Sequence, residues 1–146
     1  MSKITLCSST KFFDKLVGIK EELEKRGHEV FLPSMQDFHH LEEDALAKIH
    51  YNLIKDHFIK IGKSDAIYVA NFDKNDIEGY IGGNCFLEMG KAFDMGIQIF
   101  LLKDIPRQMG YREELIALQP VVIGEHWEEL EQHLSSRQQE KTRTKI

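Results

Sequence analysis

The stretch GYIGGNCFLEMGKA, residues 79–92, runs from a glycine-rich loop into a helical pattern whose first turns carry one acidic residue, Glu88. We expect Asn84 to cap this helix, which makes Glu88 its fourth residue. A carboxylate near the positive end of a helix dipole gains about 0.3–1 kcal/mol in its ionised form. The glycines let a ligand approach the backbone. The pattern therefore predicts a carboxylate that acts as a nucleophile or stabilises a cation.

Continuous apolar runs alternate with amphipathic segments along the rest of the chain. The predicted strands are 3–8, 28–32, 66–70, 97–102 and 120–123, and the predicted helices are 10–26, 44–62, 84–96, 107–118 and 127–136. This alternation is typical of a parallel sheet that is covered by helices on both faces. We predict an α/β fold, a flavodoxin-like three-layer sandwich with a five-stranded parallel sheet in the order 2-1-3-4-5.

In such a sheet, ligands bind beyond the carboxyl ends of the strands, where the strand order reverses. The hydroxyls at 8–10, the segment 71–78 and the glycine loop all fall at that edge. The residues that we expect to bind substrate are Ser8, Ser9, Tyr80, Gly82, Gly83 and Asn84. Two simpler interpretations stay open: one hydroxyl at 8–10 only caps the next helix, and Glu88 only complements the helix dipole on a solvated face.

Asp56 and His57 lie late in the long helix 44–62 and are candidates for acid–base catalysis. Histidine suits that role because it exchanges a proton near neutral pH. The alternative is that both are ordinary polar residues at a helix boundary. The pair His39-His40 has no cysteine or carboxylate at ligand spacing, so we predict no metal and no cofactor.

Length and charge limit the classes of protein that fit. The chain has 146 residues, enough for one domain, which we place at 1–136, followed by a polar and mostly basic tail at 137–146 that we expect to be frayed. The net charge of −5 argues against binding to a nucleic-acid polymer. No apolar run approaches the length of a membrane span, which is about 20 residues. The two cysteines, Cys7 and Cys85, suit reduced thiols in a cytoplasmic protein.

The chain resembles the nucleoside 2-deoxyribosyltransferase-like superfamily, which includes the 2′-deoxynucleoside 5′-monophosphate N-hydrolases. The resemblance follows the order of the chain over roughly residues 3–102. Its motifs are ITLCSS at 4–9, KSDAIYV at 63–69, GYIG at 79–82, EMGKA at 88–92 and GIQIFLL at 96–102. The glutamate helix after the glycine loop is the most specific of them, because the others are common in parallel sheets.

The resemblance implies a flavodoxin-like fold, usually in homodimers, that cleaves or exchanges the N-glycosidic bond of a nucleoside or nucleotide. It implies that Glu88 attacks the anomeric carbon and forms a glycosyl-enzyme ester, which water or another base resolves. It also implies that Ser9 holds the sugar or its phosphate. The partner implied is therefore a small nucleoside or nucleotide, which agrees with the chemistry of a carboxylate that traps an oxocarbenium-like sugar.

Two positions depart from the family pattern. His57 stands where the family commonly has an aspartate, and Gly82 stands where transferases carry an acidic residue. His57 is a candidate proton donor in place of that aspartate. The missing loop acid favours a hydrolase over a transferase. The alternative function is a nucleotide-binding or sensing module of the same fold that has lost catalysis.

Overall fold

The computed structural model describes residues 1–34 and 42–144 of the 146-residue chain, with side chains as far as Glu140. Histidines 39 and 40 lie outside the described residues. The strands are β1 (Lys3–Cys7), β2 (Glu29–Phe31), β3 (Ala66–Val69), β4 (Gln98–Leu101) and β5 (Val121–Val122). The helices are α1 (Phe13–Lys25), α2 (Glu43–Gly62), α3 (Gly83–Asp94), α4 (Arg112–Ala117) and α5 (Trp127–Thr144). A 3-10 turn, Thr10–Phe12, precedes α1.

All five strands are parallel and lie in the order β2-β1-β3-β4-β5, which confirms the predicted flavodoxin-like topology. Residues that alternate along the strands enter two separate cores. Ile4, Leu6 and Tyr68 pack with α1 and α5 in one core, whereas Ile67 and Val69 pack with α2 and α3 in the other. Both faces of the sheet are therefore covered, which is why the strands read as continuous apolar runs.

The last helix is longer than predicted. We expected a frayed tail at 137–146, but α5 continues as far as Thr144. Residues 137–141 (Arg, Gln, Gln, Glu, Lys) are good helix formers. Arg137 also ties the helix to the sheet, because its guanidinium donates to the backbone oxygen of Gly96 and, over 3.3 Å, to the side-chain oxygen of Gln98.

A charged cluster joins α5 to the segment between α1 and β2. Glu131 accepts from Arg26 over 2.5 Å and contacts the Nε2 of His28 at 2.7 Å. Hydrogen bonding from Arg26 is the main cause that holds the pKa of the Glu131 carboxyl below its ordinary value of 4.5. Since the folded state lowers this pKa, the pair contributes stability above pH 4.5 and loses it as the pH falls through the lower folded value.

None of the helices in the described residues combines the length and the apolarity that a membrane span requires.

We predict that Glu131→Gln lowers the free energy of unfolding by about 1 kcal/mol at neutral pH, because a neutral amide cannot replace a partly exposed ion pair. The difference from wild type should shrink as the pH falls below 4.5, the ordinary pKa of the carboxyl. Urea unfolding across that range measures both effects. Glu129→Gln, an exposed change on the same helix, is the control. A difference in unfolding free energy that does not change with pH would contradict the role assigned to the Glu131–Arg26 ion pair.

Candidate functional site

A cavity of about 710 Å³ lies at the carboxyl ends of β1 and β3, where the strand order reverses. Its size is that of a site for a small ligand. Most of the site residues that the sequence predicted line it, although they come from four different segments of the chain. These residues are Ser8, Ser9, His57, Tyr80, Gly82, Gly83, Asn84 and Glu88.

Glu88 lies further along its helix than predicted. The helix begins at Gly83, with Gly82 rather than Asn84 in the capping position, so Glu88 lies in the second turn. The predicted cap was wrong because an extended glycine can start the helix without a capping side chain. The helix dipole acts mainly within the first turn, so it supports the charge on Glu88 less than expected. The Glu88 side chain is only 15% exposed and lines the cavity.

Two buried side chains, Cys7 and His57, meet the partly buried Glu88 at the cavity, and we call the three the Cys7–His57–Glu88 cluster. The Nε2 of His57 lies 3.5 Å from the Sγ of Cys7 and 3.5 Å from the Oε2 of Glu88. The contact with Glu88 is an ion pair only when His57 is protonated. In the described part of the chain, neither Glu88 Oε2 nor His57 Nδ1 has a hydrogen-bond partner. Burial, followed by the nearby Glu88 charge, raises the pKa of the Cys7 thiol.

The sequence did not predict this cluster, because its members come from β1, α2 and α3 and no local spacing relates them. One donor atom from each lies within 4.8 Å of the others, so the cluster could hold a metal ion. Both cysteines of the chain are buried and unpaired, as reduced thiols would be.

Asp56, the other predicted catalytic residue, does not join Glu88. Its Oδ2 accepts from Ser34 over 2.5 Å and from Lys60 over 3.0 Å, and these contacts, the Ser34 hydrogen bond first, lower its pKa. Among the described residues that line the cavity, Asp56 does not appear. One helical position separates it from His57, which is enough to send the two side chains in different directions.

The hydroxyls after β1 bind neighbouring loops rather than capping a helix. Ser8 donates to the backbone oxygen of Ala70 over 2.8 Å. Ser9 occupies the capping position of the 3-10 turn without a side-chain capping bond in the described structure. Instead its Oγ accepts from the Nζ of Lys74 over 2.7 Å. The capping role considered for these residues is therefore wrong for Ser9, and its hydroxyl faces the cavity beside a cation.

Lys74 is a cavity residue that the sequence did not predict. Its Nζ also lies 5.6 Å from the centroid of the Tyr80 ring. A tight turn presents this lysine: Lys74 pairs with Ile77, and Asn75 and Asp76 between them have φ angles of 53° and 60°. Asparagine and aspartate tolerate such angles better than most residues, so Asn75-Asp76 is a turn signal that could have placed Lys74.

Asn71 fixes the glycine loop to the end of β4. Its buried amide donates to the backbone oxygens of Gly79, Lys103 and Asp104 at 3.2, 3.0 and 3.3 Å, and its oxygen accepts from the Lys103 amide at 2.9 Å. Gly79 must come close to this junction. Its φ is +68°, and a Cβ there would lie 2.8 Å from the Asp104 oxygen. The loop before Glu88 therefore contains glycine partly for a structural reason, because Gly79 leaves room for the Asp104 oxygen.

No protein-family model and no curated protein matches the sequence. Solved structures similar to the chain include a conserved protein from Enterococcus faecalis V583, at 18% identity and a TM-score of 0.55, covering 94% of this chain and 99% of that one. They also include a 2-deoxyribosyltransferase from Bacillus psychrosaccharolyticus, at 17% identity and a TM-score of 0.49, covering 68% of this chain and 70% of that one. A third is FerB, a flavoenzyme NAD(P)H:(acceptor) oxidoreductase from Paracoccus denitrificans, at 14% identity and a TM-score of 0.48, covering 84% and 75%. At these identities, the likeness shows the fold.

We predict that Gly79→Ala destabilises the protein by about 1–3 kcal/mol, because alanine is strained at this φ and meets the Asp104 oxygen. Thermal or urea unfolding measures the change. Gly18→Ala is the matched control, since a Cβ at that position in α1 meets none of the described atoms within 4 Å. The control should gain about 0.5–1 kcal/mol. Equal effects of the two substitutions would contradict the close approach.

Proposed function

We propose that this protein cleaves the N-glycosidic bond of a nucleoside or nucleoside 5′-monophosphate, with Glu88 as the nucleophile. The observation that carries the proposal is the Glu88 carboxylate, which lines a cavity of about 710 Å³ and has a buried Oε2 without a hydrogen-bond partner in the described residues. This oxygen lies 3.5 Å from the Nε2 of His57 but makes no hydrogen bond to a described residue, so its lone pairs remain available to an electrophilic carbon. The resemblance of residues 3–102 to the nucleoside 2-deoxyribosyltransferase-like superfamily supports the same chemistry.

The proposed reaction has two displacements at the anomeric carbon. In the first, a Glu88 oxygen forms a bond to that carbon while the bond to the base nitrogen breaks, and the base takes up a proton from solvent. In the second, water attacks the same carbon and gives a proton back to solvent, while the ester bond breaks and the carboxylate returns. Both steps pass through an oxocarbenium-like state, which a negative carboxylate stabilises. The result is free base and a sugar with retained configuration.

His57 is better suited to position Glu88 than to protonate the base. Its Nε2 lies 3.5 Å from Glu88 Oε2, on the side of the nucleophile. In a displacement, the leaving group departs from the face of the sugar opposite to the nucleophile. A proton donor for the base should therefore lie across the cavity from Glu88. His57 therefore orients Glu88, and the proton-donor role that its position in the sequence suggested falls to another group.

Hydrolysis is the preferred outcome over transfer to a second base. The preference rests on Gly82, which stands where transferases of the resembled superfamily carry an acidic side chain. Glycine offers no carboxylate to hold an incoming base, and water needs none.

A phosphate on the substrate would suit the part of the cavity that Lys74 and Ser9 line. The Lys74 ammonium and the Ser9 hydroxyl are 2.7 Å apart, and both line the cavity. An ammonium with a neighbouring hydroxyl forms a pair of donors for an anion. We therefore propose that a nucleoside monophosphate binds more tightly than the nucleoside.

We predict that the protein releases free base from at least one nucleoside or nucleoside monophosphate. Chromatography of reactions with a panel of both compound classes measures the released base. Glu88→Gln should lower kcat/KM by about a thousandfold or more, because the amide is a far weaker nucleophile. Asp94→Asn, an exposed change at the end of the same helix, is the matched control and should keep the activity.

Activity that survives Glu88→Gln would contradict the nucleophile. Tight binding of a nucleotide without release of base would instead favour the alternative, a binding or sensing module. The substituted positions His57 and Gly82 are the observation that motivates this alternative.

We predict that Lys74→Ala weakens binding of a nucleoside monophosphate by about 10–100-fold, since a hydrogen bond to a charged group contributes about 1.5–3 kcal/mol. Binding of the matching nucleoside should change little. Isothermal titration with the two ligands measures the difference. Lys11→Ala is the control, because Lys11 is exposed and is not among the described residues that line the cavity. Equal losses for both ligands, or for both variants, would count against a phosphate site at Lys74.

A further inference from the structure

We propose that the Cys7–His57–Glu88 cluster binds a divalent transition-metal ion of the Zn²⁺ type. The cluster offers three different donor atoms: a thiol sulfur, an imidazole nitrogen and a carboxylate oxygen, all within 4.8 Å of one another. The three side chains come from β1, α2 and α3, so the packing of the sheet against two helices holds them together. The proposal does not depend on glycosidase activity.

Two of the three separations between the donor atoms match a tetrahedral ion. Zinc bonds to sulfur at about 2.3 Å and to nitrogen or oxygen at about 2.0–2.2 Å, so neighbouring donors around it lie about 3.3–3.6 Å apart. The Cys7–His57 and His57–Glu88 separations are both 3.5 Å. The same nitrogen, Nε2, faces both partners. The third separation, between the Cys7 and Glu88 donor atoms, is at most 4.8 Å and must shorten when the ion binds.

The donor set selects the class of metal. Sulfur and imidazole nitrogen favour borderline-soft ions such as Zn²⁺ and Co²⁺, whereas Mg²⁺ and Ca²⁺ take oxygen ligands. The charges also balance, because a thiolate and a carboxylate together neutralise a divalent ion in a buried place. The ion must displace the proton of the Cys7 thiol, and the raised pKa of that thiol makes the proton harder to remove. Metal binding would also satisfy the Oε2 of Glu88, which makes no hydrogen bond to a described residue.

The proposed site is open and exchangeable. His57 and Glu88 line the cavity, so a fourth coordination position would face it and accept water or a ligand. The Nδ1 of His57 makes no hydrogen bond to a described residue, although metal-bound histidines usually have such support. We therefore infer that a chelator removes the ion from the folded protein. Because the ion would occupy Glu88, loading is expected to suppress any release of base.

The full chain is loaded with Zn²⁺ or with Co²⁺, freed of excess metal by gel filtration and measured for metal per chain by mass spectrometry. We expect one ion per chain, with removal by a chelator and no loss of the fold by circular dichroism. Bound Co²⁺ should show the intense d–d bands of a tetrahedral site and a thiolate-to-cobalt charge-transfer band. Both readouts are independent of substrate, so failure of the glycosidase proposal leaves them unaffected.

Cys7→Ser should abolish the thiolate band and weaken metal binding by at least about tenfold. Cys85→Ser is the matched control, because Cys85 is also buried but lies outside the cluster. If Cys7→Ser does not fold, the Co²⁺ spectrum of the wild type still decides. Absence of a stoichiometric ion, a spectrum without a thiolate band, or equal loss in both variants would overturn the proposal.

Discussion

The pairing of β1 with β3 is the constraint on which the rest of the structure depends. The two strands run parallel in the register Ile4↔Ala66 to Cys7↔Val69, so they end at the same edge of the sheet. Each chain segment that leaves this edge must turn toward a helix on one face or the other. Ser9, from the segment after β1, therefore meets Lys74, from the segment after β3, and Cys7 is brought beside His57, which lines the cavity.

The topology and the cavity rim could be predicted because they follow from local patterns. Continuous apolar strands between helices indicate a parallel sheet, and the strand order places the ligand edge after β1 and β3. Glu88 and Ser9 could be found in this way. The ends of the helices were predicted less accurately than the topology. An extended glycine begins α3 where a capping asparagine was expected. Arg137 supports the longer α5 through a contact with Gly96, which is distant in sequence.

The interior of the site could not be predicted because side-chain direction decides it. Asp56 and His57 are neighbours, yet one pairs with Lys60 and the other lies beside Cys7 and Glu88. Helix spacing turns consecutive side chains by about 100°, so a shift of one residue in the packing of α2 would exchange their roles. The position of Lys74 likewise depends on a turn. The conformation of that turn, more than its amino-acid composition, brings the Lys74 ammonium to Ser9.

The partly buried Glu88 carboxylate connects the two proposals about this site. A buried acceptor without a hydrogen bond costs about 1–3 kcal/mol, and more when it is charged. Glu88 Oε2 is such an acceptor, because it makes no hydrogen bond to a described residue. A positive charge that comes beside it is therefore stabilised. A sugar that becomes cationic in the transition state brings such a charge, and so does a divalent ion. Both need the same oxygen, so the two states exclude each other, and the concentration of free metal would set the fraction of protein with an available nucleophile.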